Sequence, residues 1–290
     1  MTTVPAASAP AGRARGAQTV LEVVATEQLT PHLVRVHLGG PRFAAFVAGA
    51  DPAKLALTDK YVKLLFADPA LGLEPPYDME ALRETLQPHQ MPTRRTYTIR
   101  SVGPQSLAID FVVHGDEGIA GPWAARAVVG DKIAFSGPGA QFAPRPETIE
   151  RRYLGDDSAI PALAAALEAL PADATGIALI EVDSAADEVD LQVPSGIELT
   201  WLHRRGDDGE VAPYGQRLVD AVAALPAPDG PVEVFAHGER EAMKRLRPIV
   251  NGEWGVPRAD LSLSAYWAFG RAEDTFQAEK RAPVGQIFED

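Results

Sequence analysis

The stretch Arg94-Arg95-Thr96-Tyr97-Thr98-Ile99-Arg100 concentrates an aromatic ring, two threonine hydroxyls and three guanidinium groups in one short run. Thr, Tyr and Ile favour strands, so the run reads as β. Successive strand side chains point to opposite faces. Arg95, Tyr97 and Ile99 then share one face, and Thr96, Thr98 and Arg100 the other. A flat ring, hydroxyls and a cation on one strand suit a flavin dinucleotide. Tyr97 offers a partner for the isoalloxazine ring, Thr98 hydrogen bonds to its edge and ribityl chain, and Arg95 a fork for the pyrophosphate. An ordinary edge strand has a similar composition, so the flavin reading depends on what surrounds this run.

Working outward, Asp110-Phe111-Val112-Val113-His114-Gly115-Asp116-Glu117-Gly118 follows, then Ala120-Gly121-Pro122-Trp123-Ala124. An apolar strand runs here into a glycine-rich turn and a helix start. Glycines admit a ligand close to the backbone, and free N–H groups at a helix start attract anions. The alternative is a structural turn, with His114 a satisfied structural histidine. Further on come Gly155-Asp156-Asp157-Ser158-Ala159-Ile160-Pro161-Ala162, then Ala265-Tyr266-Trp267 and Gly270-Arg271-Ala272-Glu273-Asp274.

Arg95-x-Tyr97-Thr98 resembles the flavin signature of the ferredoxin-NADP reductase superfamily. With Arg100 added, and with the three later blocks in the same order, the chain is similar to the siderophore-interacting protein family. The resemblance runs from about Ala17 onward. It implies an FAD-containing ferric-siderophore reductase with NADH or NADPH as donor, a ferredoxin being the other donor to consider. It assigns Arg95, Tyr97, Thr98, Arg100, Asp110, His114, Gly121, Trp123 and Ala124 to FAD. It assigns Asp156, Ser158, Ala159, Arg204, His237 and Gly238 to NAD(P)H. The chain departs from the family pattern after Tyr266-Trp267: Ala268-Phe269 stands where relatives often carry basic residues.

Composition bounds the chemistry. The 290 residues are 46% hydrophobic, enough for two medium domains with ordinary cores. There is no cysteine, which excludes disulfides, thiolate catalysis and cysteine-held metals or clusters. Two-electron redox work then needs a bound cofactor. A net charge of -13 argues against nucleic acid and against broad association with anionic membranes. No run is apolar enough to span a membrane. Residues 1–16 lack an apolar signal core and read as a short disordered tail, so the expected compartment is the cytoplasm.

Residues 17–144 read as a flavin-binding antiparallel β-barrel. Candidate strands lie at 19–24, 33–38, 61–66, 95–100, 107–113 and 131–136, the last closed by Gly137-Pro138-Gly139. One helix is expected at 122–129, and helical turns at 79–86 inside a proline-rich insert. Residues 145–290 alternate strands and helices, which implies an α/β domain with a mostly parallel sheet. Ligands of such sheets bind at the carboxyl ends of the strands. Asp156, Asp157 and Ser158 there serve as a helix cap whether or not they touch a nucleotide.

His203-Arg204-Arg205 after another strand could hold nucleotide phosphates or form a solvated loop. His237-Gly238 ends a later strand in the same way. Tyr266 and Trp267 either cover the flavin face, meet the nicotinamide or pack in the core. Lys63, Arg126 and Lys280 are candidates for attracting an anionic siderophore, although each residue type is more often a solvated charge. Ser195 lies in a Pro-Ser-Gly turn with no nucleophile elbow, and the six histidines form no metal-binding spacing. The alternatives to a siderophore reductase are a general NAD(P)H-flavin or ferredoxin-type reductase and a non-enzymatic siderophore-binding carrier.

Overall fold

The computed structural model describes residues 17–115, 118–147, 149–206 and 208–288. The tail reading for 1–16 and the Asp116-Glu117 pair of the glycine-rich block lie outside the described residues.

Chain order runs β1 (Thr19–Thr30), β2 (Leu33–Gly39), α1 (Phe43–Gly49), α2 (Pro52–Ala56), β3 (Tyr61–Phe66), α3 (Met79–Thr85), β4 (Thr93–Val102), β5 (Leu107–Val112), α4 (Ala120–Arg126) and β6 (Lys132–Gly139). The six strands close into an antiparallel barrel in the order β1-β2-β5-β4-β3-β6. Apolar alternation drives the closure. Val36, Leu38, Val62, Leu64, Ile99, Ile109 and Phe135 alternate inward along their strands and are buried. Phe43 and Phe46 of α1 plug the barrel, with Phe46 edge-on to Phe135 at 5.3 Å. This short helix is absent from the sequence reading; its only signal is the pair of phenylalanines three residues apart.

Two boundaries differ from the sequence reading for one reason. β1 continues to Thr30, and β6 runs through Gly137-Pro138-Gly139 instead of ending there. Each strand carries a register shift, between Val23 and Ala25 on β1 and opposite Tyr61/Lys63 on β6. Gly137 has φ 126°, and a Cβ on Gly139 would sit 2.4 Å from the Tyr61 ring. The glycines therefore serve a bulge that bends the strand rather than a turn that stops it.

The second half continues with β7 (Glu150–Asp156), α5 (Ile160–Glu168), β8 (Thr175–Val182), β9 (Gly196–His203), α6 (Gln216–Ala224), β10 (Val232–Glu239), α7 (Arg240–Arg247), β11 (Leu261–Trp267) and α8 (Glu273–Glu279). All pairs are parallel, in the order β11-β10-β7-β8-β9. The first strand of the domain is thus central, and the order reverses between β7 and β10. That switch point opens a crevice at the strands' carboxyl ends, where Gly155 and His237 lie side by side. A Cβ on Gly155 would meet Ala159 and Leu163 at 2.8 Å, so only glycine lets α5 pack this close.

Candidate functional site

A cavity of about 720 Å³ lies between the barrel and the carboxyl ends of the parallel sheet. That volume falls within the range of ligand clefts. Its barrel wall exists because β4 is only half paired on one side. β3 pairs with β4 from Thr93 to Thr98, whereas β5 joins it only from Ile99 onward. Residues 93–98 therefore present an open strand edge. Thr96, Tyr97 and Thr98 all line the cavity, so simple alternation, which puts Tyr97 and Thr98 on opposite faces, does not govern this opened edge.

Behind Tyr97 stands a column of rings. Tyr97 lies 4.4 Å from Phe111, and Phe111 lies 5.7 Å from Trp123, centroid to centroid. This packing fixes the Tyr97 ring as a plate on the cavity wall. Asp110 and His114 line the same wall. Arg35 grips Asp110 through both oxygens, at 2.7 and 2.9 Å.

The opposite wall comes from the second half. Asp157, Ser158, His237, Tyr266 and Trp267 line it. Burial pushes the Tyr266 hydroxyl above its ordinary range, and Thr98 lies near it across the seam. The His237 imidazole is buried and stacked 3.9 Å from Phe235, with Nε2 paired to Ser262 Oγ. Burial, aided by Lys280, lowers its pKa to about 3, so it stays neutral.

Asp156 sits just behind this wall and does not line it. One oxygen accepts from Ser158 N at 3.0 Å and Ser158 Oγ at 2.5 Å; the other accepts from Glu239 N at 2.7 Å and Trp267 Nε1 at 2.9 Å. Burial, and then the neighbouring Asp157 charge, raise its pKa to about 7, against the pull of those donors. As pH falls through neutrality the carboxylate gains a proton and holds the Trp267 indole less strongly. The difference in Trp emission between the protein and Trp267→Phe should change with a midpoint near pH 7, and Asp156→Asn should abolish that transition.

Charge is distributed unevenly around the cavity. Its acids are matched: Asp110 with Arg35, Asp157 with Arg204 at 3.1 Å, and Glu273 with Arg95 at 4.0 Å. Asp59 accepts from the N–H groups of Gln141 and Phe142, both at 2.8 Å. Lys63 and Lys280 also line the cavity, and among the described residues neither has a carboxylate within 4 Å. Burial pushes the Lys280 ammonium below its usual range, opposed by the charge of Glu273 and aided to a lesser degree by Lys63. The cavity wall thus carries three cations, Lys63, Lys280 and Arg258, with no carboxylate within 4 Å among the described residues, in a chain whose net charge is -13.

Residues 22–142 match the siderophore-interacting FAD-binding domain, and residues 151–270 match the siderophore-interacting protein family. The chain belongs to the siderophore-interacting protein family. It is 42% identical to an uncharacterized protein of Mycobacterium tuberculosis, over 90% of this chain and 93% of the other. It is 31% identical to the ferric vibriobactin reductase ViuB of Vibrio cholerae, over 93% of this chain and 96% of the other. The crystal structure of a siderophore utilization protein from T. fusca superposes with a TM-score of 0.72 at 34% identity, covering 88% of this chain and 94% of that one.

Several residues suggested by the family pattern lie away from the cavity, for physical reasons. Arg100 reaches out of the barrel and holds both oxygens of Glu168 at the end of α5, so it ties the two halves together. Trp123 and Ala124 pack into the barrel core behind Phe111, and Gly121 presses on the Val112 carbonyl. Ala159 is fully buried against Gly155. Arg204 is buried beneath the Tyr214 ring with Asp157, Glu181 and Asp183 around it. Gly238 packs on the Asp156 carboxylate. Arg126 ends α4 outside the cavity lining.

Other residues enter the site unannounced by the sequence. Tyr61, Gln141, Phe142, Arg258 and Ser262 line it, as does Glu273. A different group, His32, Asp183 and Asp187, brings ligand-type atoms within 4.8 Å of one another from positions 155 residues apart. Its members are already engaged, Asp183 by Arg205 at 3.0 Å and Asp187 by His32 at 2.8 Å and Ser184 at 2.9 Å.

Proposed function

We propose that the chain is an FAD-dependent ferric-siderophore reductase using NADH or NADPH as donor and releasing Fe(II) in the cytoplasm. The single observation that carries this reading is the cavity itself. It places the Tyr97 plate and the Thr98 hydroxyl opposite a parallel-sheet switch point, with two unmatched lysines on its wall. The residues fit a flavin: a half-buried ring on the cavity wall, a strand edge left unpaired by β5, and a polar rim. Tyr97 would stack on the isoalloxazine, Thr98 would meet its edge, and His114 would border the dinucleotide chain. Bound FAD supplies the conversion of a two-electron donor into single-electron steps.

Residues 17–144 form the flavin unit in this reading and 145–290 the donor unit. Ser158 and His237, with Tyr266 and Trp267 above them, are placed to receive the nicotinamide end of the donor. The substrate would be an anionic ferric chelate drawn by Lys63 and Lys280. Hard oxygen ligands favour Fe(III), so one-electron reduction weakens the complex and frees the metal. No side chain acts as nucleophile, and the protein's contribution is placement and charge. Among the described residues no helix is long and apolar enough to cross a membrane, which is compatible with work in the cytoplasm.

The test compares acceptors. FAD-loaded protein is reduced with NADH or NADPH without oxygen, then offered ferric siderophores, a quinone or free flavin, with an Fe(II) chelator as reporter. Preferential oxidation by ferric siderophores with stoichiometric Fe(II) supports the reading. Equal rates with quinone and free flavin would favour a general flavin reductase.

A further inference from the structure

The open edge of β4 already has a ligand within the chain. Ile99 donates its N–H to Lys60 O, so odd-numbered N–H groups of this strand face β3. Even-numbered ones therefore face the unpaired side. There, Thr96 N donates to Glu273 Oε1 at 3.0 Å. One residue away, Arg95 Nη1 donates to Asp274 Oδ2 at 3.1 Å. Both acids belong to the first turn of α8, which crosses from the parallel-sheet half onto the barrel.

The two ends of α8 are held very differently. At its far end Glu279 accepts from Arg240 and from Arg271, and Phe276 is buried among Ala265, Ala268 and Ile287. At the barrel end Asp274 is 69% exposed, and burial raises the pKa of Glu273. The barrel end is thus the weak one. The strand groups it occupies, a backbone N–H and an arginine fork, are the kind that bind phosphate oxygens.

We infer that Glu273 and Asp274 act as a built-in competitor for the anion-binding edge of β4, so that the phosphate-bearing cofactor binds against their charge. This rests on the assignment of β4 to FAD. The carboxylates lower the affinity of an anionic ligand and release the edge when it arrives. Glu273 faces Arg95 and Tyr97 on β4, Asp274 on its own helix and Lys280 just past the helix end; Lys63 on β3 flanks Lys280. Protonation of Glu273 removes its charge, so FAD binding should strengthen as pH falls through that group's raised range.

The experiment titrates flavin-free full-length protein with FAD, read by quenching of flavin fluorescence. Glu273→Gln should bind FAD about three- to ten-fold more tightly than the natural chain, the effect of losing roughly one charge-assisted contact. Its affinity should depend less on pH than that of the natural chain, which rises on acidification. Asp274→Asn, at an exposed position, should tighten binding in the same direction by a smaller factor. Tyr97→Ala is titrated beside them. If Tyr97→Ala weakens FAD while both acid variants bind as the natural chain does or more weakly, the competitor inference is overturned alone. If Tyr97→Ala leaves FAD binding intact, the assignment of β4 is wrong and the inference falls with it.

Discussion

Tyr97→Ala should reduce FAD affinity by about 10- to 100-fold, the loss expected when a ring that stacks on a heteroaromatic plate is removed. The ring is braced from behind by Phe111 and then Trp123, so its position is set before any ligand arrives. Truncation also strips one face of Phe111. An accompanying stability loss of about 2–3 kcal/mol is expected, less than for a fully enclosed ring. Tyr97→Phe separates the two effects, because it keeps the plate and the packing; it should retain FAD near the natural affinity. Arg100→Ala provides the contrast. Its guanidinium spans the halves to Glu168, away from the cavity, so FAD should be retained and the change confined to stability. Flavin occupancy by absorbance, together with thermal unfolding, checks all three variants.

Replacing Lys63 and Lys280 by Ala should leave FAD bound and cut turnover of anionic ferric chelates. Every cavity acid has a partner, whereas these two ammonium groups have no carboxylate within 4 Å among the described residues. Each charge is expected to contribute about 1–2 kcal/mol toward a multiply charged anion several ångströms away in a partly screened cleft. Each single variant should therefore lose about ten-fold in kcat/KM, and the double variant about 100-fold. A neutral ferric hydroxamate should be nearly indifferent to both changes. The lysine contribution should also fade with added salt. Equal losses for neutral and anionic chelates would assign the lysines to packing or to cofactor placement instead.

Much of the architecture was legible in local pattern. β3 occupies 61–66 as its run of apolar residues indicates, and the β/α alternation after residue 150 yields a wholly parallel sheet. What escaped was non-local. The glycines and proline at 137–139 look like a strand end, yet they accommodate the Tyr61 ring of a neighbouring strand. Arg100 stands three residues from Tyr97 on the same strand, but its partner Glu168 is 68 residues away and turns it out of the site. Glu273 was visible only as part of a charged C-terminal block. Its contact with Thr96 N depends on β5 failing to pair with the first half of β4, which no short-range signal encodes. Residues whose proposed role follows from side-chain type alone, such as Tyr97, are named by the motif. Those whose function follows from which charge meets which came only with the fold.

In the proposed reaction, electrons pass through flavin held at β4 to iron in a ferric siderophore. The most direct measurement is the visible spectrum of the FAD-reconstituted protein, followed without oxygen through two additions. NADH or NADPH should bleach the flavin bands, and a ferric siderophore should then restore them as a trapped Fe(II) signal grows in proportion. A protein that takes up no flavin, or whose reduced flavin stays bleached beside the ferric siderophore, would contradict the account.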